Sequence, residues 1–140
     1  EMGVGFGGKG SCGWSLGELQ ARFPNVTNNF VALVTGNIEG TFQNRANCGR
    51  MIKVTMGGRC NGSCNGGQGS ADQYTGATQN FIVADECPIS NGQNPPCAAN
   101  PHHLDLSRAA LGNFTKNGSP MPLNDGIIWQ RVVYWEFISN

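Results

Sequence analysis

The sequence predicts a mainly β protein, a small closed β-barrel of five or six short strands with one or two short helices. Short apolar runs rich in β-branched and aromatic residues recur along the 140-residue chain, and such runs are typical of buried strands. Glycine (21) and proline (7) are abundant while only 13% of residues are charged, which indicates long loops. Neither an internal repeat nor a linker is present, so residues 1–140 are expected to form one domain. Closure into a barrel would leave no exposed sheet edge.

The chain begins with a glycine-dense segment followed by a helix signal. Residues 1–13 carry Val4 and Phe6 between glycines, and we expect a first strand there. A phosphate-binding loop is disfavoured because no Gly-Lys-Ser/Thr follows. Residues 15–18 match the capping box of a short helix that Pro24 ends. The apolar face of this helix comprises Leu16, Leu19 and Phe23.

Three further segments have the composition of strands. Phe30–Val34 is a continuous apolar run, and Met51–Met56 alternates between apolar and polar residues, which is typical of a half-buried strand. The polar residues 59–79 between this strand and the next are expected to form a surface insertion. Residues 127–137 are rich in aromatic and β-branched residues and predict a last strand. One face of that strand would carry Trp129, Val133, Trp135 and Phe137, with Arg131 interrupting it.

Two aspartates stand at the ends of apolar segments. Asp85 follows the predicted buried strand Phe81–Ala84, and Asp105 precedes a short helix that Ser107 would cap and Gly112 would end. In a groove with apolar walls, burial and the like charge of Asp85 would both raise the pKa of Asp105. The alternative is that both acids simply cap and solubilise loop ends.

Histidines flank one of these acids. His103 is placed to hydrogen-bond Asp105, or else to be half-buried and satisfied by the backbone. His102 is expected to be exposed. Neighbouring residues of a strand point to opposite faces, so His102 and His103 cannot both ligate one ion. We therefore expect neither a metal nor another cofactor.

Charge and cysteine content narrow the class of protein. The net charge is zero without a basic cluster, which disfavours nucleic acid as a partner. No apolar run reaches membrane-spanning length. The sequence starts at Glu1 without a basic n-region, so we expect that any signal peptide has already been removed. An even set of six cysteines without zinc-site spacing predicts three disulfides, with fifteen possible pairings, in a secreted monomer. These are Cys12, Cys48, Cys60, Cys64, Cys87 and Cys97. Glycosylation sequons, which are also expected by chance, begin at Asn25, Asn61, Asn113 and Asn117.

A series of motifs resembles the first domain of expansins and the wider group of double-psi β-barrels, which includes barwin, kiwellin, rare lipoprotein A and family-45 endoglucanases. The resemblance covers nearly the whole chain apart from residues 59–79, and it implies a six-stranded double-psi barrel with long disulfide-tied loops. The motifs are Gly-Ser-Cys-Gly at 10–13, Cys48-Gly49, the segment 83–88, the segment 103–107 and the segment 125–132.

The resemblance also implies roles for individual residues. In expansins the aspartate matching Asp105 is needed for wall loosening, and in the endoglucanases it is the general acid. Asp85 matches a second aspartate on the opposite lip of the polysaccharide groove. The chain departs from the family at Gly5-Phe6, where expansins commonly carry Thr-Tyr, and no acid lies at the position of the endoglucanase base.

For the cysteines, the resemblance favours pairing Cys12 with Cys48. The remaining four would form local bridges, 60 with 64 and 87 with 97, although a crossed arrangement is equally allowed.

The expected function is therefore that of a secreted, expansin-like glycoprotein that binds and loosens cell-wall polysaccharide of the cellulose or xyloglucan type without efficient hydrolysis. Trp14 and Tyr74, which lie in glycine-rich loops, are expected to contact the glycan together with His103. One alternative is a glycan-cleaving endoglucanase or lytic transglycosylase that uses Asp105 as its acid. Another is a kiwellin- or barwin-like defence or inhibitor protein.

Overall fold

The computed structural model describes residues 10–26, 28–37, 39–60, 64, 69–87, 103–125 and 130–138. Over these residues the protein is mainly β, as predicted. The elements are helix α1 (Leu16–Arg22), strands β1 (Phe30–Val34), β2 (Met51–Cys60), β3 (Thr78–Cys87) and β4 (Leu104–Leu106), the 3₁₀ helix Arg108–Asn113, and strands β5 (Thr115–Lys116), β6 (Ser119–Pro120) and β7 (Gln130–Phe137).

Five strands form one sheet in the order β4-β1-β3-β2-β7, and β5 and β6 form a separate hairpin. Among the strand pairs that the structure describes, β1–β3 alone is parallel. The predicted closed barrel is not seen in the described part of the chain, because β4 and β7 lie at opposite edges of the sheet. Strand β4 has only three residues, and among the described strands it pairs with β1 alone. The predicted strand around Val4 and Phe6 lies outside the described residues.

The two faces of the sheet contribute to two hydrophobic clusters. We call the first the central face, because all five strands and the hairpin segment pack there. It includes Val31, Leu33, Ile52, Val54, Phe81, Val83, Phe114 and Met121, with Leu104, Leu106, Val133, Trp135 and Phe137 packed against them. We call the second the α1 face, because Leu19 of α1 covers it. It includes Phe30, Ala32, Val34, Ile82, Ala84 and Cys87.

A bulge in β3 determines what the α1 face presents. Val83 pairs with Val31, but Asp85 rather than Ala84 pairs with Ala32, so that Ala84 is an extra residue in β3. A bulge changes the alternation of side chains beyond it. Ala84 therefore lies on the α1 face, and Asp85, which follows it, points to that face as well. The carbonyl of Ala84 accepts the N–H of Cys12 at 3.3 Å.

The first helix is capped as predicted. Ser15 Oγ accepts the N–H of Glu18 at 3.2 Å, and Glu18 Oε1 accepts the N–H of Ser15 at 3.2 Å. Leu19 is fully buried, and Phe23 packs edge-on against Trp14. Leu16 is exposed, because a helix of seven residues turns only a narrow stripe toward the sheet.

The second helix differs from the prediction. Ser107 does not cap it; its hydroxyl accepts the N–H of Phe30 at 3.2 Å and donates to the carbonyl of Asn28, so it ties β4 to the start of β1. Gly112 does not adopt a positive φ. The helix is instead a 3₁₀ helix that Phe114 ends by donating its N–H to the carbonyl of Leu111 at 3.1 Å.

The predicted surface insertion at residues 59–79 is in part a packed region. Strand β2 continues to Cys60, β3 starts at Thr78, and Tyr74 and Ala77 join the central face. Arg59 also pairs with Ser70 in an isolated β-bridge. This segment is thus polar in composition but contributes two buried residues to the core.

Two arginines and two aspartates form an ion-pair network at this end of the sheet. Arg59 and Arg131 lie opposite each other on β2 and β7. Arg59 contacts Asp72 at 3.0 Å and Asp125 at 2.8 Å, and Arg131 contacts Asp125 at 2.9 Å as well as Asp72. Burial raises the pKa of Asp72, but the hydrogen bond and charge of Arg131 outweigh it and lower that pKa overall. The network thus joins the 70–77 segment and Asp125 to the sheet.

The disulfide Cys12–Cys48, which the resemblance favoured, is present. Cys60–Cys64 is also present, which excludes the crossed arrangement of the remaining four cysteines. Cys87 is also disulfide-bonded, and its predicted partner, Cys97, lies outside the described residues. Over the residues that the structure describes, each helix is too short to cross a membrane.

Candidate functional site

The two aspartates predicted to form the site flank the same residue of β1. Asp85 of β3 and Asp105 of β4 are both directly opposite Ala32, and residues directly opposite each other in a sheet point to the same face. Two strand spacings place their Cα atoms about 10 Å apart. Ala32, whose small side chain lies between them, is itself only 2% exposed, because the α1-face cluster packs over it. We call Asp85, Ala32 and Asp105 the acid row.

His103 holds one end of this row. His103 Nε2 lies 3.0 Å from Asp105 Oδ1, and the two side chains are 25% and 24% exposed. This contact confirms that His103 is placed to orient Asp105. Asp105 itself lies in the middle of β4 and not at the strand-to-helix junction that the sequence predicted.

The electrostatics of Asp105 are opposite to the prediction. Burial alone would raise the pKa of this carboxyl, but hydrogen bonds and positive charge, those of His103 among them, lower the pKa from 3.8 to about 2. The predicted repulsion from Asp85 does not dominate, because the two residues are separated by a whole strand. Asp105 is therefore a carboxylate at any ordinary pH, suited to accept hydrogen bonds and not to donate a proton.

A third group approaches this pair but does not complete a metal site. One ligand atom each from Cys87, His103 and Asp105 lie within 4.8 Å of one another. Cys87 is disulfide-bonded, and a disulfide sulfur cannot act as the thiolate that metals bind. The imidazole and the carboxylate are already hydrogen-bonded to each other. The cluster therefore serves to fix Asp105.

Asp85, at the other end of the row, is held by backbone groups. Its Oδ1 accepts the N–H of Ser11 at 2.7 Å and that of Glu86 at 2.9 Å. The segment 10–13, which we call the covering loop, crosses Asp85 closely. A Cβ atom at Gly10 would lie 2.6 Å from the carbonyl oxygen of Ala84 and 3.2 Å from Asp85 Cγ. Only glycine permits this approach.

A strained turn anchors the covering loop from outside. Gln43, Asn44 and Arg45 have consecutive positive φ angles of 49°, 50° and 73°, a left-handed turn that costs about 1–2 kcal/mol per residue. Arg45 Nη2 donates to the carbonyl of Cys12 at 3.1 Å, and Cys12 is also bonded to Cys48. The sequence did not identify Ser11 or Arg45 as site residues, because their roles depend on contacts with β3 and the covering loop.

The two aromatic residues predicted to contact a glycan have different positions. Trp14 directly follows the covering loop and is half-buried. It packs edge-on against Phe23, with 5.9 Å between the ring centroids, and Arg22 Cζ lies 5.0 Å from the Trp14 ring centroid. Tyr74 is only 4% exposed, and its hydroxyl donates to the carbonyl of Pro120 at 2.9 Å. The prediction for Tyr74 is therefore wrong: it is a core residue whose ring presents no face to a ligand.

His102 and Trp129 lie outside the described residues. Comparison of the chain with protein-family models, with curated proteins and with solved structures gave no match.

Proposed function

We propose that this is a secreted protein that binds cell-wall polysaccharide at the acid row and loosens it without efficient hydrolysis. The kinship with double-psi β-barrels of the expansin type is part of this proposal and rests on the sequence motifs. The observation that carries the functional part is the state of Asp105, an ionised carboxylate held in register with Asp85 across a small residue.

An ionised Asp105 supports binding more than cleavage. Glycosidases of the inverting type need one protonated carboxyl group and one carboxylate base. With a pKa of about 2, only about one Asp105 in a thousand would be protonated at pH 5. Such a group lacks the proton that a leaving sugar needs. It is, however, a strong acceptor for sugar hydroxyl groups, since hydrogen bonds to a charged partner are about twice as strong as neutral ones.

The neighbouring groups fit the same purpose. Asp85 and Asp105 are both partly exposed on either side of Ala32, and Trp14 is a partly exposed residue next to the covering loop. Aromatic rings of this kind commonly present an apolar face with a polar rim. A polysaccharide would thus meet two acceptors and one ring.

Cleavage of a glycan is the second candidate, and the spacing of the acid row favours it. From Cα atoms about 10 Å apart, the two carboxyl groups can approach the separation of about 6.5–9.5 Å found in inverting glycosidases. This candidate requires that substrate binding raise the pKa of one of them. It therefore predicts turnover that depends on both aspartates.

A binding and release assay distinguishes these functions. The protein is incubated with cellulose, xyloglucan and peptidoglycan, and both the bound fraction and the soluble fragments are measured. Asp85→Asn and Asp105→Asn should each weaken binding about tenfold, the loss of one charged hydrogen bond, without any fragments from the native protein. Glu136→Gln is the matched control, because Glu136 is exposed on β7 opposite Lys53.

Three results would contradict the proposal. Fragment release that Asp105→Asn abolishes would establish the cleaving enzyme. Equal binding by the aspartate variants and the Glu136→Gln control would remove the acid row from the site. Capture of a protein partner without affinity for any of the polymers would favour the defence or inhibitor class.

A further inference from the structure

A recessed surface lies on the α1 face, away from the acid row. It is an open groove of about 340 Å³ where β1 and β3 begin, and Thr78, Gln79 and Asn80 form one of its walls. Asn80 precedes Asp85 by five residues on β3, which corresponds to about 16 Å. The groove and the acid row are therefore separate sites on one sheet.

The floor of the groove is a fixed network of amides. Asn29 is 4% exposed, and its Nδ2 donates to Gln79 Oε1 and to the carbonyl of Asn80, both at 2.9 Å. Its Oδ1 accepts from Asn113 Nδ2 at 2.7 Å. Because every polar atom of the Asn29 side chain is engaged, the network holds the groove in one shape, and a ligand would not have to order it.

The rim of the groove carries two side-chain amides that are available to a ligand. Asn25 and Asn80 are exposed, and their side-chain amides make no hydrogen bond to the described part of the chain. Each amide has two donors and an acceptor, which matches the mixed character of a sugar hydroxyl. Val26 and Met51 add apolar surface beside them. None of the described residues that line the groove is charged.

We propose that this groove binds a neutral saccharide unit through the amides of Asn25 and Asn80. The inference takes its ligand class from the proposed function but stands on different residues. The volume matches the smallest ligand clefts, about 300 Å³, and so fits a short segment of glycan. Because no aromatic ring is among the described lining residues, we expect weak binding, with a Kd of about 1 mM.

A titration followed by nuclear magnetic resonance tests this directly. The protein is produced in a host that does not N-glycosylate, since Asn25 begins a sequon. Cellotetraose is added up to about 20 mM, well above the expected Kd, and the side-chain amide signals of Asn25, Gln79 and Asn80 are followed. They should shift together and saturate.

Matched variants separate the groove from the acid row. Asn80→Ala should weaken the groove titration at least about fivefold, the value of one hydrogen bond. Asn124→Ala, at another exposed asparagine, should not change it. Asp105→Asn tests the acid row and should leave the groove signals responsive. If Asp105→Asn lost polymer binding while the groove signals of the native protein did not respond to cellotetraose, this inference would be overturned and the proposed function would stand.

Two further outcomes would also overturn the inference. One is a groove titration that Asn80→Ala and Asn124→Ala affect equally. The other is a response to trigalacturonic acid but not to cellotetraose, abolished in Lys53→Gln. Lys53 lies beside Asn80 on β2, so that result would indicate recognition of an acidic sugar by charge.

Discussion

Replacement of Arg131 by methionine should destabilise the protein by about 3–5 kcal/mol, the usual effect of removing one partner of a buried ion pair. The side chains of Arg131 and Asp125 are 6% and 2% exposed. Arg131 also donates to the carbonyl of Gly57 at 2.9 Å. Methionine is of similar length, so the loss would reflect charge and hydrogen bonding more than a cavity. Two carboxylates would then share the single guanidinium of Arg59.

Urea unfolding with the disulfides intact measures this effect. With a slope of about 1–3 kcal/mol per molar urea, the midpoint should fall by about 2 M. The double variant Arg131→Met with Asp125→Asn should recover at least about 1 kcal/mol, because it removes the surplus negative charge. Arg22→Met is the control: its guanidinium is exposed over Trp14, and its loss should cost about 1 kcal/mol or less.

The reasoning would be refuted if Arg131→Met lay within about 1 kcal/mol of the native protein. It would equally be refuted if the double variant were no more stable than Arg131→Met alone, since the loss would then not arise from unbalanced charge.

Three further predictions concern stability. The pKa of Asp105 is about 2 in the folded protein against an ordinary 3.8. Ionised Asp105 therefore adds about 2 kcal/mol to the free energy of unfolding above pH 4, and this is lost as the pH falls toward 2. In urea unfolding, the difference in stability between the native protein and Asp105→Asn should shrink over that range. Gly10→Ala should lower the free energy of unfolding by about 1–3 kcal/mol, because its Cβ would contact a backbone oxygen. Gly17→Ala, in open space on α1, should raise the free energy of unfolding by about 0.5–1 kcal/mol. Equal thermal midpoints for the two variants would contradict this. Replacing Cys12 and Cys48 by alanine should cost about 4 kcal/mol, because this disulfide spans 36 residues, and a loss below about 1 kcal/mol would show that the unfolded chain is already constrained.

The sequence predicted best where local patterns and packing agree. The alternation of Met51–Met56 places Ile52, Val54 and Met56 on the central face, as expected. The last strand also turns its aromatic face inward. The capping box at residues 15–18 formed because both of its hydrogen bonds are local. Each of these features is decided within a few residues.

Long-range contacts decided what the sequence did not predict. The extra residue Ala84 follows from how β1 and β3 pair and leaves no mark in either segment alone. The pKa of Asp105 depends on groups around it in the fold, and the apolar neighbours suggested the wrong sign. Tyr74 lies in a polar, glycine-rich stretch, but burial of a large ring favours the core when a partner for its hydroxyl is available.

One feature that the sequence analysis did not predict had a readable local signal. The segment 113–124 contains the hairpin of β5 and β6. Asn117 and Gly118 form its turn with φ angles of 53° and 80°, and Asn-Gly is a strong hairpin signal. The left-handed turn at residues 43–45 had no such signal, since only its asparagine favours that conformation.

The position of β1 between β3 and β4 has a consequence for biosynthesis. A chain still attached to the ribosome can pair its first and third strands before residue 104 has been made, and it then carries only half of the site. The second carboxylate arrives when a three-residue strand docks on the free side of β1. Such non-local pairing is slow to form, so assembly of the acid row should be among the last events of maturation.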